Sequence, residues 1–497
     1  MARPRLSVLS GLWSLSPGCR AVTTAATGKR LKTVEDLPGP SFTKTLHWLL
    51  FKGYADKSHL LQDVQKQLYG PLWRSRFGHY DLVNVASAEL ISQVIRQEGR
   101  YPVRAPLPHW KEYRDLRNQA YGLHVETGSN WHRLRSALNP KMLKLQEVRP
   151  YAAVIQEVVD DLLQRVEELR RRSPDCTVPD MAGELYKFGF EGISSILFET
   201  RLGCLQEEVP TETLKFISAV NDMLLLSNTV ALFPRWTRRF LPHWDRFVKA
   251  WDDISTVARG LIERRISQLD SRSLSDGLYL TYLLCNNTLS REEVFTSVTE
   301  LLLGGVDTTS NTLSWALYHL ARDPRAQQRL WEEVRSVCAE ERPSLQDLTQ
   351  MPYLKAVIKE TLRLYPVVPG NARYVTENDV VLGEYWFPKE TLFHLCHYSV
   401  CHSPDEFPDP ESFVPERWLR SLPGLRPHHP YSYIPFGVGV RACVGKRVAE
   451  MEMYFALARL MQRYQVLPEE GAPAIEPKTR TLMIPGSAVN LRFLPRA

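Results

Sequence analysis

Cys443 lies in a run whose make-up suits a metal-bound sulfur: Phe436-Gly437-Val438-Gly439-Val440-Arg441-Ala442-Cys443-Val444-Gly445. The next residues, Lys446-Arg447-Val448-Ala449-Glu450-Met451-Glu452, read as the opening turns of a helix. A thiol at a helix N-terminus faces unpaired backbone N–H groups and the positive end of the helix dipole, and both favour the thiolate. Arg441 adds positive charge two residues away. The glycines allow close backbone approach to a flat, bulky ligand. Such a sulfur suits haem iron, to which a thiolate pushes electron density that promotes O–O cleavage. The same glycines also spell the dinucleotide pattern G-x-G-x-x-A. That pattern belongs after the first strand of a βαβ unit, and this copy lies near the C-terminus behind a proline-rich stretch.

Two further groups carry chemical potential. Gly304-Gly305-Val306-Asp307-Thr308-Thr309 falls inside a long helical pattern, where each glycine costs about 1 kcal/mol relative to alanine. Small residues there let a ligand lie against the helix, and a hydroxyl beside an acid can organise water and deliver protons. Close helix packing explains the hexapeptide equally well when it is read alone. Trp131 and Arg135 stand one turn apart on one side of a helix beginning near Asn130, so an indole N–H and a guanidinium can hold one carboxylate. Glu360 and Arg363 are also one turn apart, which by itself is an ordinary i,i+3 pair.

The elements that must position these residues are mostly helical. Val148 to Arg172 is amphipathic and ends in three arginines, a solvated helix end favoured by the dipole. Ser290-Arg291-Glu292-Glu293 is a capping box, opening a helix that runs to about Arg322, where Asp323-Pro324 stops it. Leu354 to Leu364 is a shorter helix. From Val367 to Pro435 prolines are dense and short strands are expected, among them Val380 to Phe387 and Thr391 to Tyr398. A last helix runs from after Cys443 to about Tyr464. The pattern predicts a mainly α protein with a small β-sheet region.

In this 497-residue chain no Gly/Ser linker, repeat or low-complexity block divides the sequence, so one large domain is expected. The net charge of +6 is local: the first 34 residues hold six basic groups and no acid, and the remainder balances 56 basic against 56 acidic residues. That balance gives no support to nucleic-acid binding. An acid-free leader bearing Arg, Ser and Thr reads as a mitochondrial transit peptide over residues 1–34, with the folded domain at 35–497. No apolar run in the leader is long enough for a spanning anchor. Eight scattered cysteines form no disulfide framework. His394, Cys396, His397, Cys401 and His402 lack the paired spacing of structural zinc sites. Val230 to Trp236 and Phe240 to Trp244 are aromatic, proline-broken and basic, a composition suited to shallow membrane contact or to core.

Phe436 to Gly445 resembles the haem-binding loop of the cytochrome P-450 monooxygenases, Phe-x-x-Gly-x-Arg-x-Cys-x-Gly, at every fixed position. The resemblance implies that family's fold and a buried haem b (iron protoporphyrin IX) with Cys443 as axial iron ligand. It implies that Trp131, Arg135, Arg373 and Arg441 bind the haem propionates and that Phe436 belongs to the cofactor loop. In the family's oxygen-activation motif, Thr308 holds the activated oxygen and Asp307 relays protons. Glu360, Arg363 and Arg417 match a buried structural triad. The chain is similar throughout to the mitochondrial branch that hydroxylates sterols and vitamin D. That branch implies an acidic [2Fe–2S] ferredoxin with its reductase as electron donor, with Lys355, Lys359, Lys446 and Arg447 as its docking patch. It also implies a lipophilic substrate and peripheral attachment to the matrix side of the inner membrane.

Gly183 to Gly189, Arg201 to Cys204, Pro366 to Asn371 and Pro477 to Thr481 direct the expectation to 1α-hydroxylation of 25-hydroxyvitamin D3. Tyr101 to Arg104 and Trp110 to Asp115 are more similar to enzymes that hydroxylate sterol side chains at C27, or vitamin D3 at C25. A haem-thiolate isomerase or a haem sensor would keep Cys443 without turning over oxygen, and the Asp307-Thr308 pair speaks against both.

Overall fold

The computed structural model describes residues 31–78, 80–269, 279–419 and 427–496. Residues 1–30, most of the expected leader, lie outside them. Lys32 already belongs to the body: its backbone brackets the hairpin Val380–Leu382/Tyr385–Phe387 through Glu384 O at 2.9 Å and Trp386 N at 2.8 Å.

Helix dominates, as the patterning predicts. Nine helices matter to the site: α1 (Pro108–Leu116), α2 (Gly128–Leu143), α3 (Tyr151–Arg172), α4 (Met181–Phe198), α5 (Thr211–Leu232), α6 (His243–Ser267), α7 (Arg291–Arg322), α8 (Pro352–Leu364) and α9 (Lys446–Arg463). The largest sheet has the order β1-β2-β4-β3, with β1 Leu72–Phe77, β2 Tyr80–Val85, β3 Asn371–Val375 and β4 Thr391–Leu395. Its one parallel pair, β2 with β4, sets Val83 opposite Phe393; β3 runs antiparallel to β4 and sets Arg373 opposite Phe393. A separate hairpin, β5 (Pro477–Arg480) and β6 (Leu482–Pro485), reaches back to α7.

Three sequence expectations shift. The helix expected from Val148 is broken: Leu145–Val148 is a separate turn, and α3 begins after Pro150, whose missing N–H suits a helix start and not its interior. The strand expected over Val380 to Phe387 is two strands folded about Gly383, at φ 56°. The strand expected to Tyr398 stops at Leu395 and passes into a short helix, His397–Cys401.

Helix α7 is buried along most of its length. Ser290 and Glu293 cap it reciprocally, as the sequence predicts. It packs on α4 at close range. A Cβ on Gly189 would lie 2.7 Å from Ser310 Oγ and 3.0 Å from Val306 O, and one on Gly305 would lie 2.7 Å from Ile193. The Ser310 hydroxyl donates to Leu185 O at 2.7 Å, tying the two helices together. Trp315, farther along α7, stacks on Tyr365 with ring centroids 3.9 Å apart. Rigid support on both sides fixes where Gly304 to Thr309 can point.

Candidate active site

Cys443 ends a tight turn in which its N–H donates to Phe436 O at 2.8 Å. Gly437 and Gly439 make this turn at φ 69° and 68°, a region that side-chain-bearing residues avoid. The sulfur meets the Gly445 N–H just ahead of α9, along with Arg135, Arg104 and Lys446. Burial outweighs these in the free thiol and pushes its pKa up. In the free thiol desolvation outweighs the stabilisation that the helix end offers; a bound metal would displace the proton.

Guanidinium groups gather beside this loop. Arg135 donates to Ala442 O at 2.6 Å and to Asn139 Oδ1 at 2.6 Å. Arg441 lies 3.6 Å over the Trp131 ring and donates to Pro102 O at 2.6 Å. Arg373 pairs with Glu98 at 2.6 Å. Arg104 donates to Arg441 O at 3.3 Å. Glu98 and Arg104 were not singled out as cofactor residues from sequence; Arg104 sits in the Tyr101–Arg104 run that resembles the sterol side-chain hydroxylases. Glu98 is the one carboxylate paired here against four arginines among the described residues. Burial and mutual repulsion lower the Arg441 pKa to about 9 and the Arg104 pKa to about 10, and Arg441 Nη2 is buried and makes no hydrogen bond among the described residues. Such excess buried positive charge calls for anions. A ligand carrying two carboxylates beside a site for soft metal ligation satisfies it, and haem with its two propionates has that form. Trp131, Arg135, Cys443, Lys446 and Arg447 also line one cavity of about 500 Å³.

Asp307 and Thr308 take different directions from α7. Thr308 is half-exposed and its hydroxyl donates to Gly304 O at 2.8 Å. A Cβ on Gly304 would meet nothing within 4 Å, so this face of α7 borders open space. Asp307 is buried and pairs with Arg480 of β5 at 2.6 Å, while Arg480 also donates to Tyr186 Oη at 2.8 Å. The second carboxylate oxygen of Asp307 makes no hydrogen bond among the described residues. Asp307, Asn311, Tyr186 and Arg480 line a cavity of about 640 Å³ between α4, α5 and the β5–β6 hairpin. The adjacent Thr309 is 3.4 Å from Glu452, a buried carboxyl whose pKa burial raises to about 8. Arg480 is the partner that the sequence does not disclose: 173 residues separate it from Asp307.

The triad expected from Glu360, Arg363 and Arg417 forms. Glu360 receives two bonds from Arg363, at 2.8 and 3.0 Å, and one from Arg417 at 3.0 Å. Trp418 Nε1 and Val414 N complete its shell. Arg363 also donates to Cys401 O, Pro410 O and Ser412 O, so this network fastens α8 to the long segment before the cysteine loop.

Lys355, Lys359, Lys446 and Arg447 come together. All four lie close enough to Glu450 to counter the upward push of burial on its carboxyl. Lys446 pairs with Glu450 at 3.9 Å, and Lys359 sits 5.7 Å from the Trp418 ring centroid. Elsewhere Phe233, Trp236, Phe240 and Leu241 are exposed beside Arg235, as are Phe42, Leu46, Leu50 and Phe51 near the chain start. No helix among the described residues is long and apolar enough to cross a membrane.

Comparison with known proteins accords with this geometry. The chain is 42% identical over 480 residues to mitochondrial sterol 26-hydroxylase of Rattus norvegicus, covering 94% of this chain and 90% of that protein. It is 42% identical over 478 residues to mitochondrial 25-hydroxyvitamin D-1 alpha hydroxylase of Homo sapiens, covering 94% and 93%. It is 37% identical over 477 residues to cytochrome P450 27C1 of Danio rerio, covering 94% and 88%. The cytochrome P450 family model matches residues 37–492. A cysteine loop set among paired and stacked arginines, together with a helix that splits an acid from a hydroxyl, thus has its explanation: the chain belongs to the cytochrome P450 family and is a haem-thiolate monooxygenase.

Proposed function

We propose that this enzyme hydroxylates 25-hydroxyvitamin D3 at the 1α position, in mitochondria, with electrons from a small acidic [2Fe–2S] ferredoxin and its reductase. The observation that carries the reading is the group of buried arginines around the Cys443 loop, which calls for the haem propionates, in a chain 42% identical to a human enzyme of that name. Side-chain hydroxylation of a sterol is the second reading, favoured by equal identity to the rat sterol 26-hydroxylase and by the Tyr101–Arg104 run. Incubation with 25-hydroxyvitamin D3 and with cholesterol, followed by product identification, decides between them.

Haem, when bound, supplies dioxygen activation for inserting oxygen into an unactivated C–H bond. The protein supplies position and protons. Cys443 would offer the sulfur, and Trp131, Arg135, Arg373, Arg441 and Arg104 would hold the propionates. Asp307, paired with Arg480, draws protons from the polar cavity behind α7. The Thr308 hydroxyl, on the open side of α7, would hold a proton for the chemistry that bound haem supplies. Thr308→Ala is expected to uncouple turnover, hydrogen peroxide rising as product falls while NADPH consumption persists. Equal loss of peroxide and product would exclude proton delivery by Thr308.

The four cations around Glu450 form a positive face beside the cysteine loop, suited to steering an acidic donor. Replacing both Lys355 and Lys359 by Gln should weaken ferredoxin binding about 5–10-fold at low ionic strength and much less at high salt. An unchanged low-salt titration would remove these lysines from the interface. The exposed aromatic and basic residues around Trp236, together with those of the helix Phe42–Phe51, provide the peripheral contact with the inner membrane, on its matrix side.

A further inference from the structure

A buried polar cluster stands on the same stripe of α7 as Thr308. Glu300, Gly304 and Thr308 are spaced by four, so they line one helix face, with Glu300 about 12 Å along the axis from Thr308. Glu300 is buried, and a Cβ on Gly122 would lie within 2.3 Å of its carboxyl. The His124 backbone N–H and ring Nδ1 both reach Glu300 Oε2 at 3.0 Å. On the other side Arg114, also buried, lies 3.6 Å from Glu300 Oε1. Burial alone would raise the Glu300 carboxyl; His124 and Arg114 overcome it and hold the pKa below its ordinary value.

The cluster is incompletely satisfied. Arg114 Nη2 and Nε and Glu300 Oε1 are buried and make no hydrogen bond among the described residues. His124 alone of the three is partly open, its side chain 32% exposed. Its neighbour Leu123 gives its carbonyl to Arg441 of the cysteine loop at 3.4 Å. The 122–124 segment therefore bridges the arginine cluster and the Glu300 turn of α7, one turn before Gly304. An aromatic pair borders it: its ring centroid is 5.5 Å from that of Trp110, which in turn packs on Trp251.

We infer that His124, oriented by Glu300 and backed by Arg114, binds a hydroxyl of the substrate remote from the carbon that reacts. The inference rests on the proposed function and names a recognition element within it. With Nδ1–H donating to Glu300, Nε2 is the ring nitrogen left to hydrogen-bond an alcohol. A site built to bond a hydroxyl discriminates against the analogue that lacks it, because a polar group would then stay unpaired.

The test uses the full-length haem-loaded enzyme and ligand pairs that differ by one hydroxyl. Spectral titrations give Kd for 25-hydroxyvitamin D3 against vitamin D3, and for cholesterol against 5-cholestene without its 3-hydroxyl. For the bound pair, the wild type should prefer the hydroxylated member about tenfold. His124→Phe should bring that ratio to about one, chiefly by weakening the hydroxylated member. His124→Gln, which keeps a donor for Glu300 and an acceptor for the alcohol, should retain most of the preference. A ratio unchanged in His124→Phe, or a wild type without preference in either pair, overturns the inference. The reduced carbon-monoxide spectrum keeps the two readings apart. Loss of the thiolate-type band in the wild type defeats the haem-thiolate assignment, whereas an intact band with an unchanged ratio defeats only the role of His124.

Discussion

Cys443→Ala is expected to abolish the reduced carbon-monoxide band of thiolate-ligated haem and all hydroxylase activity, while the chain still folds. Cys443 does not belong to the hydrophobic core, and its turn is held by the Cys443 N–H to Phe436 O bond, which alanine keeps. What alanine removes is the sulfur. The arginines can still attract propionates, so residual haem should bind weakly and show the spectrum of a weaker axial ligand. Cys443→His tests the same point differently: imidazole ligation should shift the band without restoring turnover. A thiolate-type band persisting in Cys443→Ala would mean that another residue holds the iron.

The second large effect belongs to Glu360. Five donors converge on its carboxylate, from Arg363 twice, Arg417, Trp418 and Val414. Glu360→Ala leaves two buried guanidinium groups without a counter-charge, a change that costs about 3–5 kcal/mol. The expected result is a large fall in the urea midpoint and a poor yield of haem-loaded enzyme. Glu360→Gln keeps an acceptor but not the charge and should fall between. Wild-type stability in Glu360→Ala would show that the network is dispensable for holding α8 to the cysteine-loop segment.

Local signals carried much of this into the sequence. Ser290 and Glu293 announced the start of α7, and Glu360 with Arg363 showed one turn of spacing, because both depend on contacts three residues apart. The cysteine loop was legible because its glycines and sulfur are contiguous. Pro150 and Gly383 were also visible, and each marks a break that amphipathic or strand-like patterning masked. Arg480, Glu98 and His124 carried no comparable mark. Each acts through a partner more than 170 residues away, on an element whose own pattern says nothing about that partner. The thiol's upward shift was hidden for a related reason: helix-end stabilisation can be read from order along the chain, but desolvation depends on what folds over it.

The two neighbouring glycines of α7 answer to different masters. A methyl at Gly304 would project into space that a guest molecule needs, whereas one at Gly305 would press on Ile193 and wedge two helices apart. Enlarging the first should reshape which molecules are accepted and where they are attacked, leaving the scaffold intact. Enlarging the second should strain the scaffold whatever the guest. Directed evolution of new regioselectivity in this enzyme therefore has one productive address in that doublet and one forbidden one.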